Sequence, residues 1–99
     1  MITYEVNVEV EPYLADGYQR YMVIKHIPEI LSTGCFTAIA FERAAPGRFR
    51  TRYQAEAQED LDRYLHDHTE RFREDFLRHF PEGIAVRRDT WENVQRWSR

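Results

Sequence analysis

The chain opens with a strict alternation of apolar and polar residues. Every second residue from Ile2 to Val10 is apolar, and the residues between them are polar. Side chains of a β-strand point alternately to its two faces, so this pattern predicts a strand with one buried face. Pro12 cannot donate to a strand ladder and suits the first turn of a helix, so we expect the strand to end just before it.

Apolar residues then recur at helical spacing and predict a helix from about Pro12 to Lys25. Further along, the apolar residues fall on nearly the opposite side of a straight helix. Pro28 disfavours helical geometry at the residue before it and clashes with the preceding turn. The pattern therefore predicts a break at His26, followed by a short helical turn from Pro28 to Thr33.

A turn at Pro46 and Gly47 separates two segments with strand character, which predicts a hairpin. The first of these strands is expected from Cys35 to Ala44 and the second from Arg48 to Ala57. In the first, Thr37, Ile39 and Phe41 are expected on one face and Phe36, Ala38 and Ala40 on the other. Because both of its faces carry apolar side chains, we expect both to be covered.

Apolar residues spaced by three or four predict one long helix from Glu59 to His79, and Pro81 and Gly83 end it. A last strand is expected from Ile84, followed by a polar tail. The resulting order is β-α-β-β-α-β, which predicts an α+β, ferredoxin-like fold: a four-stranded antiparallel sheet in the order 4-1-3-2, with two helices on one face.

Length and composition restrict the class of protein. Ninety-nine residues suffice for one core, so residues 1–99 are expected to form a single domain. The apolar runs are too short to span a membrane, and no signal peptide is visible. The single cysteine fits a reducing compartment, so we expect a cytoplasmic protein. A formal net charge of −3 argues against nucleic-acid binding.

The sheet face away from the helices is expected to carry opposite charges on adjacent strands, with Glu5 on the first strand and Arg50 and Arg52 on the third. Two interpretations are open. These residues form surface ion pairs, which contribute little stability, or the face is covered by the same face of a second subunit. The apolar residues of the second strand favour the homodimer, and the polar tail at 89–99 is then expected to pack on the partner.

The segment from His26 to Phe36 reads His-Ile-Pro-Glu-Ile-Leu-Ser-Thr-Gly-Cys-Phe. It resembles the signature of a small bacterial family known as domain of unknown function 4286. Tyr53 and the segment from Glu59 to Leu65 are also similar to that family, and the similarity extends to about Arg88. The resemblance implies the dimeric α+β barrel architecture, in which two ferredoxin-like subunits pack sheet to sheet, and it implies no established activity.

His26 is the main candidate for chemistry, because an imidazole at a helix break can line a pocket and act as a general base near neutral pH. Its alternative is a structural role, bonded to local backbone groups. Glu29 is a candidate to orient His26 or to contact a ligand, or else it is an acid of the first helical turn. Four tyrosines either frame an apolar cleft or belong to the core: Tyr4, Tyr18, Tyr21 and Tyr53.

No spacing of histidines and cysteines suits a metal ion, and no cofactor is expected. We therefore predict a cytoplasmic homodimer that binds a small metabolite in a cleft between helix and sheet. One alternative is a cofactor-independent enzyme resembling small barrel monooxygenases or isomerases, with His26 as proton shuttle. Another is a structural module that binds a second protein.

Overall fold

Four strands form one antiparallel sheet in the computed structural model, which describes all 99 residues. The strands are β1 (Ile2–Val10), β2 (Ala38–Arg43), β3 (Arg48–Ala55) and β4 (Ile84–Glu92). Their order across the sheet is β2-β3-β1-β4, and every neighbouring pair is antiparallel. This is the predicted order 4-1-3-2 read from the opposite edge, so the predicted ferredoxin-like fold is confirmed.

The helices lie on one face of this sheet. A 3₁₀ turn (Pro12–Leu14) leads into a composite helix made of α1 (Ala15–Tyr21), a π-helical turn (Met22–His26) and α2 (Ile27–Leu31). After the hairpin come α3 (Gln58–Asp67) and α4 (Thr69–His79). No helix is both long enough and apolar enough to cross a membrane.

The core fills the space between this helical layer and the sheet. The alternation in β1 buries Ile2, Tyr4, Val8 and Val10 on the helix side, as the pattern predicted. Tyr18, Ile30 and Leu61 are each only 1% exposed and bring the helical layer onto the sheet. The helix side of the sheet is therefore the buried face, and the other face is left open.

The predicted helix break at His26 is wrong, because the chain stays helical from Ala15 to Leu31. The backbone N–H of Ile27 donates to the carbonyl of Met22, five residues earlier, which is the hydrogen bond of a π-helix. The wider turn accommodates one extra residue, and this shifts the apolar stripe without breaking the helix. Ile30 consequently returns to the core.

The prediction of one long second helix is also wrong, because His68 (φ −125°, ψ −32°) separates α3 from α4. Aromatic residues at positions 64, 72, 76 and 80 and the histidine at position 68 are spaced by four, and each such step turns an α-helix by about 40° more than a full turn. A straight helix would therefore rotate its apolar stripe away from the sheet. The interruption lets both Tyr64 and Phe72 be buried.

The ends of three strands differ from prediction, and β3 ends at Ala55 rather than at Ala57. β2 begins only at Ala38, and Phe36 lies in the core against Tyr53 and Tyr64 rather than on the open face. β4 runs on to Glu92, so the segment without regular structure begins at position 93 rather than 89. Without the phenylalanine, the apolar surface of β2 on the open face is limited to two alanines.

On the open face, the charges pair differently from the expectation. Glu5 lies opposite Arg52 in the β1–β3 register but accepts a hydrogen bond from Asn7 instead. Both Arg50 and Arg52 bind the carboxylate of Glu42 on β2, at 2.9 Å. The reason is geometric, because Glu42 lies directly opposite Arg50 and diagonally from Arg52, within reach of both guanidinium groups.

Candidate functional site

A cavity of about 240 Å³ lies between the sheet and the helical layer. Its floor is formed by side chains of β1, β3 and β4, and its walls come from the composite helix and α4. The lining is mainly hydrophobic and aromatic, and it includes these residues: Tyr4, Tyr18, His26, Tyr53, Tyr64, Phe72, Phe76 and Phe80. Concave sites of this character are the usual places where proteins bind small molecules.

The π-helical turn determines where His26 points. On an α-helix, residues five apart are separated by about 140° around the axis and do not meet. The wider turn brings Tyr21 and His26 together, with 3.3 Å between the tyrosine Oη and the imidazole Nδ1. The His26 ring also packs against Phe72 and Phe76 of α4, with centroids 5.9 and 6.0 Å away.

Asp75 on α4 is the centre of a polar cluster behind His26. Its Oδ2 accepts a hydrogen bond from the Tyr21 hydroxyl at 2.6 Å and another from Lys25 Nζ at 2.8 Å. Arg78 donates to the other oxygen at 3.2 Å. These donors stabilise the charged form and hold the pKa of Asp75 well below its usual range.

These contacts determine the tautomer of His26. The Tyr21 hydroxyl has one proton, and the short bond to the Asp75 carboxylate uses it. Tyr21 Oη can therefore only accept from His26, which makes Nδ1 the protonated nitrogen of the neutral ring. Nε2 keeps its lone pair and makes no hydrogen bond within the protein. A His–Tyr–Asp chain thus orients an imidazole whose unprotonated nitrogen is left for a ligand.

His26 is neutral near pH 7. Burial against the aromatic rings disfavours the imidazolium and lowers its pKa to about 4. The carboxylates of Asp75 and Glu29 raise the pKa, and Lys25 lowers it, but burial is the larger effect. The unprotonated nitrogen can therefore accept a hydrogen bond at physiological pH.

Glu29 does not orient His26, contrary to the sequence-based suggestion. Its carboxylate forms an ion pair with Lys25 at 3.3 Å, on the outer side of the helix. Tyr21 also differs from its predicted place, because it lies behind His26 in the polar cluster and does not line the cavity. The other three tyrosines, Tyr4, Tyr18 and Tyr53, do line it.

Several residues of the site were missed by sequence reasoning. Asp75 is one of several charged residues of α4, and nothing local in the sequence connects it with Tyr21, which is 54 positions earlier. Arg73 and Arg88 line the cavity from α4 and β4. Phe72 and Phe76 are four residues apart and therefore lie on the same side of α4. This spacing is the feature of the sequence that could have indicated the cavity wall. No cluster of histidine, cysteine, aspartate and glutamate side chains is placed to hold a metal ion.

The family model described as "Domain of unknown function (DUF4286)" matches residues 1–94. The chain belongs to this family. The region that matches DUF4286 includes all of β4. It therefore extends beyond Arg88, the residue at which the similarity noted in the sequence ends. No sequence among the curated proteins matches the chain.

Solved structures share the DUF4286 chain's fold at low sequence identity. A dimeric ferredoxin-like protein from an uncultured marine organism has a TM-score of 0.77 at 8% identity, covering 100% of both chains. A Deinococcus radiodurans protein, named as a candidate antibiotic biosynthesis monooxygenase, has a TM-score of 0.74 at 10% identity, covering 99% of this chain and 97% of its own. An antibiotic biosynthesis monooxygenase scores 0.58 at 16% identity, with coverage of 96% and 100%. At identities this low, the TM-scores show a common fold and nothing beyond it.

Proposed function

We propose that this DUF4286 protein binds a small, largely apolar molecule in the cavity between sheet and helices. The observation that carries the proposal is the aromatic-lined cavity of about 240 Å³ that reaches His26. Pockets for drug-sized ligands measure about 300–1,000 Å³, so a molecule of one or two rings fits this volume. A cavity at His26 supports ligand binding over a purely structural role.

The test uses a residue at the mouth of the cavity. Leu77 lines the cavity and is 59% exposed, so a larger side chain there need not disturb the core. In Leu77→Trp the indole is expected to obstruct the cavity. Glu74→Trp, on the same helix but outside the cavity lining, is the matched control.

Native mass spectrometry of protein purified from cells and ¹⁵N-NMR titration with 2-naphthamide, a neutral two-ring probe, would compare the variants. We expect a retained small molecule or a saturable naphthamide shift in wild type and Glu74→Trp, and a loss of at least tenfold in affinity in Leu77→Trp. Equal binding by both variants, or no binding to any of them, would contradict the proposal.

A second candidate function is proton transfer on the bound molecule by His26. The His26–Tyr21–Asp75 chain favours it, because it presents Nε2 as a proton acceptor and supplies a carboxylate that stabilises the protonated ring. In such a reaction Nε2 takes a proton from an acidified C–H bond and returns it to another atom of the same ligand. An isomerisation of this kind involves only these side chains.

Exchange of ligand protons for deuterium in D₂O tests this candidate once a ligand has been recovered. We expect wild-type protein to catalyse exchange and His26→Gln to bind the ligand but not exchange it. Exchange at the same rate by His26→Gln would exclude this role.

We also propose that the protein is a cytoplasmic homodimer, formed through the open face of the sheet. That face is hollow, with a groove of about 890 Å³ lined by charged residues of all four strands, among them Glu9, Glu42, Arg50 and Arg87. On this face, β1 carries acidic residues and β3 carries basic residues. Two copies of the face can therefore pair the acidic row of one subunit with the basic row of the other. The single cysteine is free and buried, which suits a reducing compartment.

Light scattering after size exclusion tests the assembly. We expect a mass of about 24 kDa, twice the 12.0 kDa of one chain. The double variant Arg50→Glu/Arg52→Glu places like charges in the proposed interface and should yield monomer. Arg63→Glu, on the outer surface of α3, serves as the control. A wild-type mass of about 12 kDa at micromolar concentration would contradict the dimer.

A further inference from the structure

Two arginines line the cavity from opposite sides. Arg88 lies opposite Val6 in the β1–β4 register, so its side chain points to the helix side of the sheet, as Val6 does. Arg73 projects from α4, and its guanidinium donates to the hydroxyl of Tyr4 at 3.5 Å, on the cavity floor. The two cations therefore face the same space from the sheet and from the helix.

Neither arginine is neutralised by a carboxylate. The ion pairs of the chain use other arginines, among them Arg50, Arg52, Arg63 and Arg78, and none of them involves Arg73 or Arg88. One acid, Glu82, also lines the cavity, so its charged residues are two cations and one anion. This excess is positive although the chain as a whole has a formal net charge of −3.

We infer that the ligand is a small ring-bearing organic anion, whose ring packs among the aromatic side chains and whose acid group binds Arg73 and Arg88. The inference rests on the proposed ligand binding and adds the chemical class to it. A guanidinium group binds a carboxylate with two parallel hydrogen bonds, and aromatic walls favour flat apolar bodies. A neutral ligand of the same shape would leave both guanidinium groups without a counter-ion.

The experiment compares two probes of equal shape, 2-naphthoate and 2-naphthamide, by NMR titration at low ionic strength. We expect the anion to bind wild-type protein at least tenfold more tightly than the amide. Arg88→Gln and Arg73→Gln should each lower naphthoate affinity at least threefold and change naphthamide affinity less than twofold. Raising the salt concentration should weaken the binding of naphthoate and leave the binding of naphthamide unchanged.

Arg20→Gln is the control, because Arg20 is an exposed residue of α1 that lines neither the cavity nor the groove of the open face. It should leave both affinities unchanged. If the amide binds as tightly as the anion, or if Arg20→Gln has the same effect as Arg88→Gln, the anion class is wrong while the cavity stands as a binding site. If neither probe binds, the proposed function itself fails.

Discussion

The half-buried imidazole of His26 makes the stability of the fold depend on pH in a way that can be calculated. Its pKa is about 4 in the folded chain and 6.5 in the unfolded chain. As pH falls through 6.5, the unfolded chain takes up the proton first, so the folded state loses stability. The contribution of neutral His26 is fully present above about pH 6.5 and is lost as pH falls towards 4.

The size of this effect follows from the difference between the two pKa values. Each unit corresponds to about 1.4 kcal/mol, so the complete loss is about 3 kcal/mol, and about 2 kcal/mol is already lost at pH 5. Asp75 contributes in the same direction, but only below about pH 4, where the carboxyl groups of the unfolded chain become protonated. Between pH 7.5 and 5, His26 therefore makes the dominant contribution to the pH dependence of the free energy of unfolding.

Urea unfolding at several pH values between 7.5 and 5 measures this dependence, and NMR titration of the His26 ring protons gives its pKa directly. We expect wild type to lose about 2 kcal/mol over this interval and His26→Gln to lose much less. His66→Gln removes a histidine whose side chain is 88% exposed, and it should retain the wild-type slope. Equal slopes for wild type and His26→Gln, or a His26 pKa at or above 6.5, would refute the reasoning.

Three further predictions concern the hydrogen bonds and glycines of the fold. Tyr21→Phe should lower the free energy of unfolding by about 1–3 kcal/mol, and by clearly less in an Asp75→Asn background, as a double-mutant cycle in urea would measure. Gly47→Ala should destabilise by about 1–2 kcal/mol or more, because φ is +80° and a Cβ would lie 2.6 Å from the Val10 carbonyl oxygen. Gly17→Ala, where a Cβ meets no atom within 4 Å, should raise the melting temperature, since alanine is the better helix former. A Tyr21→Phe effect unchanged by Asp75→Asn, a neutral Gly47→Ala, or a destabilising Gly17→Ala would contradict the respective argument.

The strands and their order could be predicted because the responsible forces are local. The alternation in β1 reflects the two faces of a pleated strand, and Gly47 has the positive φ that a tight turn after Pro46 needs. Once two β-α-β crossovers and a hairpin are recognised, few sheet topologies remain. The resemblance of the His26–Phe36 segment to DUF4286 led to the same fold by an independent route.

The site depended on contacts that no local pattern contains. The shift of the apolar stripe after Met22 was visible in the sequence, but a helix break and a π-helical turn both explain it. Packing decides between them, because the π turn keeps Ile30 in the core and brings His26 to Tyr21, whose hydroxyl donates to Asp75 of another helix.

The environment of His26 is likewise a property of the tertiary structure. The imidazole could be singled out by its position before Pro28, and either a cavity or a packed setting was compatible with that position. Its tautomer follows from the Asp75 carboxylate of α4, and burial against the Phe72 and Phe76 rings of the same helix lowers its pKa. These groups lie about fifty residues further along the chain. Only the packing of α4 against the composite helix brings them to His26, so burial and hydrogen-bond direction were decided by the fold.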